Sequence, residues 1–358
     1  MDTRLRPHDD MRNPSLARAG GVSRMADSQP SGHAMTRTPS RRQLLAAAAL
    51  GALLPQARAA SGRAYPEHLL RLVSPYPPGG TNDLVARATG RELSALLGQP
   101  LVVDNRGGAG GTLGTHAVVQ SAPDGYTVLN ASSGNLTSAP QVIGAPYHPL
   151  ADLVPVGFLG HVRFVFAVNP ALPVNSLQEL IAYARANPGK INYGTAGNGT
   201  GGHIAGEYLR QRTGIDITHV PYRGSALAVN DAIAGHVQLV LDPLAGQYVR
   251  DGRLRGLAFS GARSAPDLPG VPDIATAGVP DWQATNFYLA AVPRGTPEAV
   301  VQTLVRAYAA VASNPRLVSE LQILGVEIFP MRQAQITQLL QSEIAVNNRV
   351  IEGAQIRG

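Results

Sequence analysis

The chain has 358 residues, with 30 Lys and Arg against 24 Asp and Glu and no cysteine, which suffices for two domains with proper cores and excludes disulfides, thiolate chemistry and Cys-ligated metal. The formal charge of +6 lies mostly in residues 1–60, where nine Arg outnumber four acids. Beyond them 21 basic residues face 20 acidic ones and Lys190 is the single lysine, so the composition gives no clustered cationic face for a polyanion, and nucleic acid is not an expected partner.

Residues 1–34 are polar and Arg-rich without hydrophobic periodicity, and read as an overextended start or a disordered prefix ahead of a second methionine, Met35. From Met35 to Ala60, a basic start, an apolar run over Leu44–Leu54 and the A-x-A sequence Ala57-Arg58-Ala59 resemble a bacterial signal peptide. The apolar run is too short to span a membrane, which needs about 20 such residues. Arg41 and Arg42 fit an ordinary secretory signal or one of the twin-arginine type. The mature chain is expected to begin near Ala60, in the periplasm.

Leu70, Leu72 and Val73 form a short buried strand that Pro75, Pro77 and Pro78 end by removing backbone donors. Gly79 and Gly80 make the turn, and Thr81, Asn82 and Asp83 are candidate caps of a helix through Leu84, Val85 and Ala86. A helix start of this kind points free N–H groups and a positive dipole end outwards, a site for a carboxylate without Lys or Arg. The same pattern also serves as a strand-to-helix turn that binds nothing.

Pro100–Asp104 reads as a second strand, Asn105–Gly114 as a glycine-rich turn and Thr115–Gln120 as a helix. Asp124–Ser133 is a turn and third strand ending in small polar residues, followed by a polar loop, SGNLTSAP. Three such units argue for a parallel sheet, with ligands at the carboxyl ends of its strands. Val154–Val168 reads as two strands, or one passing between domains, broken around His161 to Arg163. A second series follows: a helix over Asn175–Asn187 with Ser176 near its cap, then a strand, glycine turn and helix over Ile191–Leu209. Strands at Ile217–Tyr222, Val237–Leu241 and Leu254–Ser260 and a helix at Ser225–Ala234 complete it before a Pro-rich loop. Asn286–Val292 is a strand, Pro297–Ala312 a helix capped by Thr296, and helices near Pro315–Leu324 and Gln333–Glu352 flank the short strand VEIF. The tail is expected to pack back on the first domain, with Trp282 at the hinge. That division gives residues 60–162 and 282–358 to domain 1 and 163–281 to domain 2.

Several of these blocks, in this order, carry a family likeness: PYPPGGTND, NRGGAGGTLG, DGYTVL, NYGTAGNGTGGHIAGE, HVPYRGSALAVNDAIAGHV, LRGLAFSG, PGVPDIATAGVP and AAVPRGTP. The chain resembles the Bug family of periplasmic solute-binding receptors, the extracytoplasmic components associated with tripartite tricarboxylate transporters. The resemblance implies a two-domain α/β periplasmic-binding-protein (Venus flytrap) fold, each domain a mainly parallel sheet flanked by helices. It also implies a small carboxylate ligand held between two turns, membrane transporter subunits or a sensor kinase as partner, and no catalysis, cofactor or metal; a monomer is expected. Carried onto this sequence, Tyr76, Pro78, Gly79, Gly80, Thr81 and Asp83 form one jaw. Gly194, Thr195, Ala196, Gly197, Asn198, Gly199, Thr200 and His203 form the other. The family often has an aromatic residue and a glycine near Asn286, Phe287 and Tyr288; here Asn286 and Phe287 replace them.

Individual residues carry two readings. Asp83 suits a first-turn helix position better than a carboxylate ligand it would repel, and His203 suits a neutral capping or packing role better than a ligand contact. Tyr76 and Tyr222 are rim aromatics or ligand contacts. Arg223 is a solvated charge or a distal carboxylate contact. Asp242 accepts from a ligand ammonium or hydroxyl, or caps the next turn. Ser133 and Tyr288 join the candidate pocket. Gly197-x-Gly199-x-x-Gly202 has dinucleotide spacing, so an exported NADP-binding oxidoreductase using Arg223 is the alternative, although the next strand ends without the acidic residue that a ribose requires. Neither a G-x-S-x-G elbow nor an H-E-x-x-H motif occurs.

Overall fold

The computed structural model describes residues 65–261 and 265–356, so the expected prefix, signal peptide and cleavage site lie outside the described residues. The chain first lays down three strand-helix units. β1 (Leu70–Ser74) leads to α1 (Thr81–Leu97), β2 (Leu101–Asn105) to α2 (Thr112–Val119), and β3 (Thr127–Ser132) to α3 (Ser133–Thr137) and α4 (Ala139–Ile143). A single-turn helix, α5 (Pro149–Asp152), precedes β4 (Leu153–Val162) and β5 (Phe164–Val168), which are separated by Arg163 alone. The next stretch contains α6 (Leu177–Ala186), β6 (Ile191–Thr195), α7 (Gly201–Thr213), β7 (Ile217–Pro221), α8 (Ser225–Ala234), β8 (Leu239–Asp242), α9 (Ala245–Arg250) and β9 (Arg255–Ser260). The chain then returns through β10 (Phe287–Pro293), α10 (Glu298–Ala312), α11 (Pro315–Ile323), β11 (Val326–Glu327) and α12 (Gln333–Ala354).

The strands form two sheets, ordered β11-β4-β10-β3-β1-β2 and β7-β6-β8-β5-β9. Pairing is parallel from β1 to β2 and β3, and from β6 to β7 and β8. The strands next to the crossings, β4, β5 and β10, together with β11, pair antiparallel. Each sheet is therefore mixed rather than mainly parallel, because the strands that carry the chain across enter from the opposite end. The reversal matters for the site. Tyr288 of β10 lies opposite Ser132 at the carboxyl end of β3, and Val165 of β5 lies opposite Asp242 at the carboxyl end of β8.

Strand periodicity explains the core. Leu70 and Leu72 join Val128, Ala290 and Val292 on one face of the first sheet, and Val73 joins Leu129, Ala131 and Leu289 on the other. Both faces are buried, which is why these strands read as continuous apolar runs. The second sheet is likewise covered on both sides, by a cluster around Phe166, Leu180 and Tyr193 and by another around Val165, Val229 and Val240.

Four local expectations change. The stretch SGNLTSAP is not a loop but α3 and α4, buried throughout Ser133–Ala139. Ser132 and Asn135 cap α3 reciprocally, and Asn135 takes the Ser132 N–H at 2.7 Å. Thr296 does not cap α10; its hydroxyl turns back to the Pro293 carbonyl at 2.8 Å, and Pro297 is the N-cap. Helix α2 starts at Thr112, three residues before the expected Thr115. Finally, α12 bridges both parts of the fold instead of resting on the first sheet alone: Gln333 donates to the Pro155 carbonyl and Gln211 of α7 donates to the Val350 carbonyl, each at 2.8 Å.

Two features mark the crossings between sheets. Trp282 packs edge-on against Phe166 and Tyr208, with ring centroids 5.5 and 4.9 Å away. Arg163, 5% exposed between β4 and β5, receives Asp267 on both guanidinium nitrogens at 2.5 and 2.9 Å, and Arg250 reaches the same carboxylate at 2.7 Å. Burial alone would raise the Asp267 pKa, but the bonds from Arg163 and the charges of Arg163 and Arg250 hold it below its ordinary value. Removing the carboxylate strands a buried guanidinium, so Asp267→Ala should cost about 3 kcal/mol in urea unfolding at neutral pH. Because the folded pKa is depressed, this contribution is complete above the unfolded carboxylate value of about 3.9 and is lost as pH falls through the folded value. The gap between wild type and variant should close below about pH 4; a gap independent of pH would remove the ion pair as its cause.

Candidate functional site

The first turn follows from its prolines and glycines. β1 stops at Ser74, and Gly79 takes a positive φ of 84°, which a side chain would disfavour. Gly80, not one of the three polar residues after it, is the N-cap of α1, so Thr81, Asn82 and Asp83 occupy its first turn. Asp83 accepts from the Gly79 N–H at 2.9 Å and from Asn105 at 2.9 Å, and pairs with Arg87 at 3.0 Å. Burial would raise its pKa; these partners bring it below the usual value. No side chain caps α1, and the first-turn N–H groups have no intrahelical acceptor.

The second turn repeats the device. After β6, Gly197 and Gly199 have φ of 134° and 70°, and the Thr200 hydroxyl donates to the Gly197 carbonyl at 2.7 Å. The Gly199 N–H donates to His203 Nδ1 at 3.1 Å, matching the bond from Gly79 to Asp83. His203 stacks on His219 with centroids 3.9 Å apart. Burial lowers their pKa values to about 4 and about 3, so both rings are neutral at pH 7. Helix α7 again has no side-chain cap, and neither has α8 beyond Gly224.

These turns meet. Ser138 donates to the Gly199 carbonyl at 2.7 Å, and a Cβ on Gly134 would stand 2.9 Å from the Gly201 nitrogen. They enclose an inner cavity of about 50 Å³ bordered by Tyr76, Gly80, Asn82 and Ser132 on one side and Ala196, Thr200, Gly201, Gly202, Ser225 and Asp242 on the other. Pro77, Phe164, Pro243, Asn286 and Tyr288 complete the wall, which contains no Lys, Arg or His. An outer cleft of about 800 Å³ shares Tyr76, Pro77 and Ala196 with it.

The residues singled out from sequence fall into three groups. Tyr76, Gly80, Ala196, Thr200, Asp242, Asn286 and Tyr288 border the inner cavity. Pro78, Gly197, Asn198, Tyr222 and Arg223 border the outer cleft. Gly79, Thr81, Asp83, Ser133, Thr195, Gly199 and His203 border neither and act on the turns or on neighbours; Ser133 donates to Asn286 Oδ1 at 2.7 Å, leaving the Asn286 amide nitrogen to face elsewhere. Tyr222 donates to Asp231 at 2.7 Å within its own lobe, and Arg223 is exposed. The reading missed Pro77, Asn82, Ser132, Phe164, Gly201, Gly202, Ser225 and Pro243. Gly201 and Gly202 stood legible in the turn motif, and Ser225 at the first position of a helix; nothing in the pattern marked Phe164.

The polar groups are arranged around the cavity with few partners to spare. The Tyr76 hydroxyl meets Ser132 Oγ at 2.8 Å, and burial together with the Asp242 charge pushes its pKa up to about 12. Asp242 accepts from Ser225 Oγ at 2.6 Å and from the Leu244 N–H at 2.8 Å, while burial pushes its carboxyl up to about 6. It both caps the following turn and borders the cavity. Three uncapped helix N-termini thus converge where cations are missing from the wall, an environment suited to an anion.

Comparison with known proteins agrees. Residues 85–356 match the family described as tripartite tricarboxylate transporter family receptor. BugT of Bordetella pertussis is 39% identical over 254 residues, covering 69% of this chain and 77% of that protein. Among solved structures, an R. palustris protein with adipate is 33% identical with a TM-score of 0.79, over 82% of this chain and 99% of its own. MatC from Rhodopseudomonas palustris with bound malate is 28% identical with a TM-score of 0.76, over 80% of this chain and 100% of its own. No helix among the described residues is long and apolar enough to cross a membrane. With its paired glycine turns, mixed α/β sheets and this match, the chain belongs to the tripartite tricarboxylate transporter receptor family, the Bug-type solute-binding receptors, and is not an enzyme.

Proposed function

We propose that the protein works in the periplasm, clamping a small organic carboxylate between its two glycine turns for delivery to the membrane subunits of a tripartite tricarboxylate-type transporter. The observation that carries this reading is the pair of uncapped helix N-termini at Gly80 and Thr200, facing one cation-free cavity. In this reading the N–H groups at the starts of α1 and α7 take the carboxylate, and Asn286, Tyr288 and Asp242 contact the rest of the ligand. Each helix terminus contributes about 0.3–1 kcal/mol to an anion, and up to about 2 in a partly buried setting, so two opposed termini can do together what neither does alone. Residues 60–162 with 282–358, and residues 163–281, are the two jaws, hinged at Arg163 and in the stretch beyond Trp282. That relatives were solved with adipate and with malate, both small carboxylates, supports the ligand class. The leader-like segment before Ala60, and solved relatives described as periplasmic, support export.

A thermal-shift screen of mono- and dicarboxylates tests the class. A ligand at 100 times its Kd adds about 2.7 kcal/mol, which should raise Tm by a few degrees. Stabilisation by NADP with none from any carboxylate would sink the proposal.

Gly80→Val tests the geometry. A Cβ at Gly80 meets Ser225 at an ordinary 3.6 Å, so the fold should tolerate the change, whereas the two methyl groups enter the cavity. The variant should keep the Tm of the free protein and lose the ligand-induced shift. Unchanged affinity would take the first turn out of the site.

A further inference from the structure

We infer that the ligand carries a hydrogen-bond donor, an ammonium or hydroxyl group on or next to the carbon bearing its clamped carboxylate, and that Asp242 receives it. The inference rests on the carboxylate-clamp reading above and narrows it. Asp242 ends β8, is 4% exposed and borders the inner cavity. Its two protein donors, Ser225 Oγ and the Leu244 N–H, leave acceptor capacity unused, since an ionised carboxylate offers about four lone-pair sites.

No cation among the described residues answers its charge. From the first lobe, Tyr76 and Tyr288 face it, and both are phenols kept protonated by burial and by the Asp242 charge itself. From α7 the bordering residues are Gly201 and Gly202, and His203 beyond them is neutral and tied to Gly199. From α9, Arg250 is taken by Asp267. On β5 the neighbours are Phe164 and Val165, on β6 Gly194 and Thr195, and on α8 the hydroxyl of Ser225.

The clamp lies close by. The side-chain direction of Gly80 reaches Ser225 Cβ at 3.6 Å, and Ser225 is the residue that donates to Asp242. A ligand carboxylate at the start of α1 therefore shares a cavity of about 50 Å³ with a second carboxylate. Two such groups at close quarters disfavour each other's charge. A donor on the ligand resolves the conflict: an ammonium cancels the Asp242 charge, and a hydroxyl occupies its free lone pair. Tyr288, whose phenol makes no side-chain hydrogen bond to any described residue, remains for the ligand's far end.

Isothermal titration of the full chain at pH 7.5 with two matched trios tests this: succinate, malate and aspartate, then glutarate, 2-hydroxyglutarate and glutamate. In at least one trio a donor-bearing acid should bind ten-fold or more tightly than its plain parent. In Asp242→Asn, the Leu244 N–H holds the amide oxygen on its own side, so the amide nitrogen replaces the oxygen facing Ser225 and the cavity. The preference for donor-bearing acids over their plain parents should then fall at least ten-fold, with the Tm of the free protein preserved. Equal affinities within both trios in the unmodified protein would overturn the inference and leave the clamp standing. Silence from all six acids and from the wider carboxylate screen would remove the clamp itself.

Discussion

A helix leaves its first N–H groups without intrahelical acceptors, and a Ser, Thr, Asp or Asn side chain at the N-cap ordinarily takes one of them. At α1 and α7 that bond is missing, although both helices begin among residues able to make it. Asp83 and His203 are spent instead on the glycine four residues earlier. The effect is to fix the shape of each turn while keeping the helix start open. In each turn this side chain accepts the glycine N–H, and its chemistry suits the task. Asp83 is held ionised by Arg87 and Asn105, and His203 is held neutral by burial, so that its Nδ1 can accept.

The remainder of the fold brings these two starts face to face. Parallel pairing from β1 to β3 and from β6 to β8 puts their carboxyl ends on one side, and antiparallel β5 and β10 insert Phe164, Asn286 and Tyr288 from the other direction. Small residues allow the approach. Any side chain on Gly199 would sit 2.7 Å from the backbone of Ala139, and one on Gly134 about as close to Gly201. These glycines belong to the contact between lobes rather than to the cavity, which explains why a glycine-rich pattern alone could not show which positions border the site.

Much of this was legible in the sequence because it depends on local rules. Pro75, Pro77 and Gly79 forced a turn after β1, and the repeated Gly-x-Gly before α7 announced its counterpart. Strand and helix positions followed from apolar periodicity to within a few residues. What escaped depends on tertiary context. The polar stretch SGNLTSAP looked like a loop because its residues are small and hydrophilic, yet it is helical and buried because both α12 and the other lobe pack on it. Thr81 and Thr296 had the composition of caps but not the geometry, as the turn preceding each helix already fixed its start. Phe164 reaches the cavity only because the chain changes sheets at Arg163, a fact of topology that a single strand pattern does not contain.

The absence of Lys and Arg from the cavity wall has a physical consequence for a receptor that must also let go. A guanidinium on one lobe would keep much of its attraction for a carboxylate after the lobes parted, because that attraction belongs to one side alone. Dipole ends divided between α1 and α7 behave differently. The field that each exerts fades within about a turn of its helix, so separation removes one set of donors and returns the other to water. Binding strength then depends on the lobes being together, and the transition that opens them is also the one that releases the anion. Asp242 adds to this asymmetry. It is buried when the lobes meet, and a ligand that fails to satisfy it leaves an uncompensated carboxylate beside its own charge. On the proposed reading, attraction from two helix ends admits anions as a class, while the one carboxyl on the cavity wall decides which of them the closed lobes can hold.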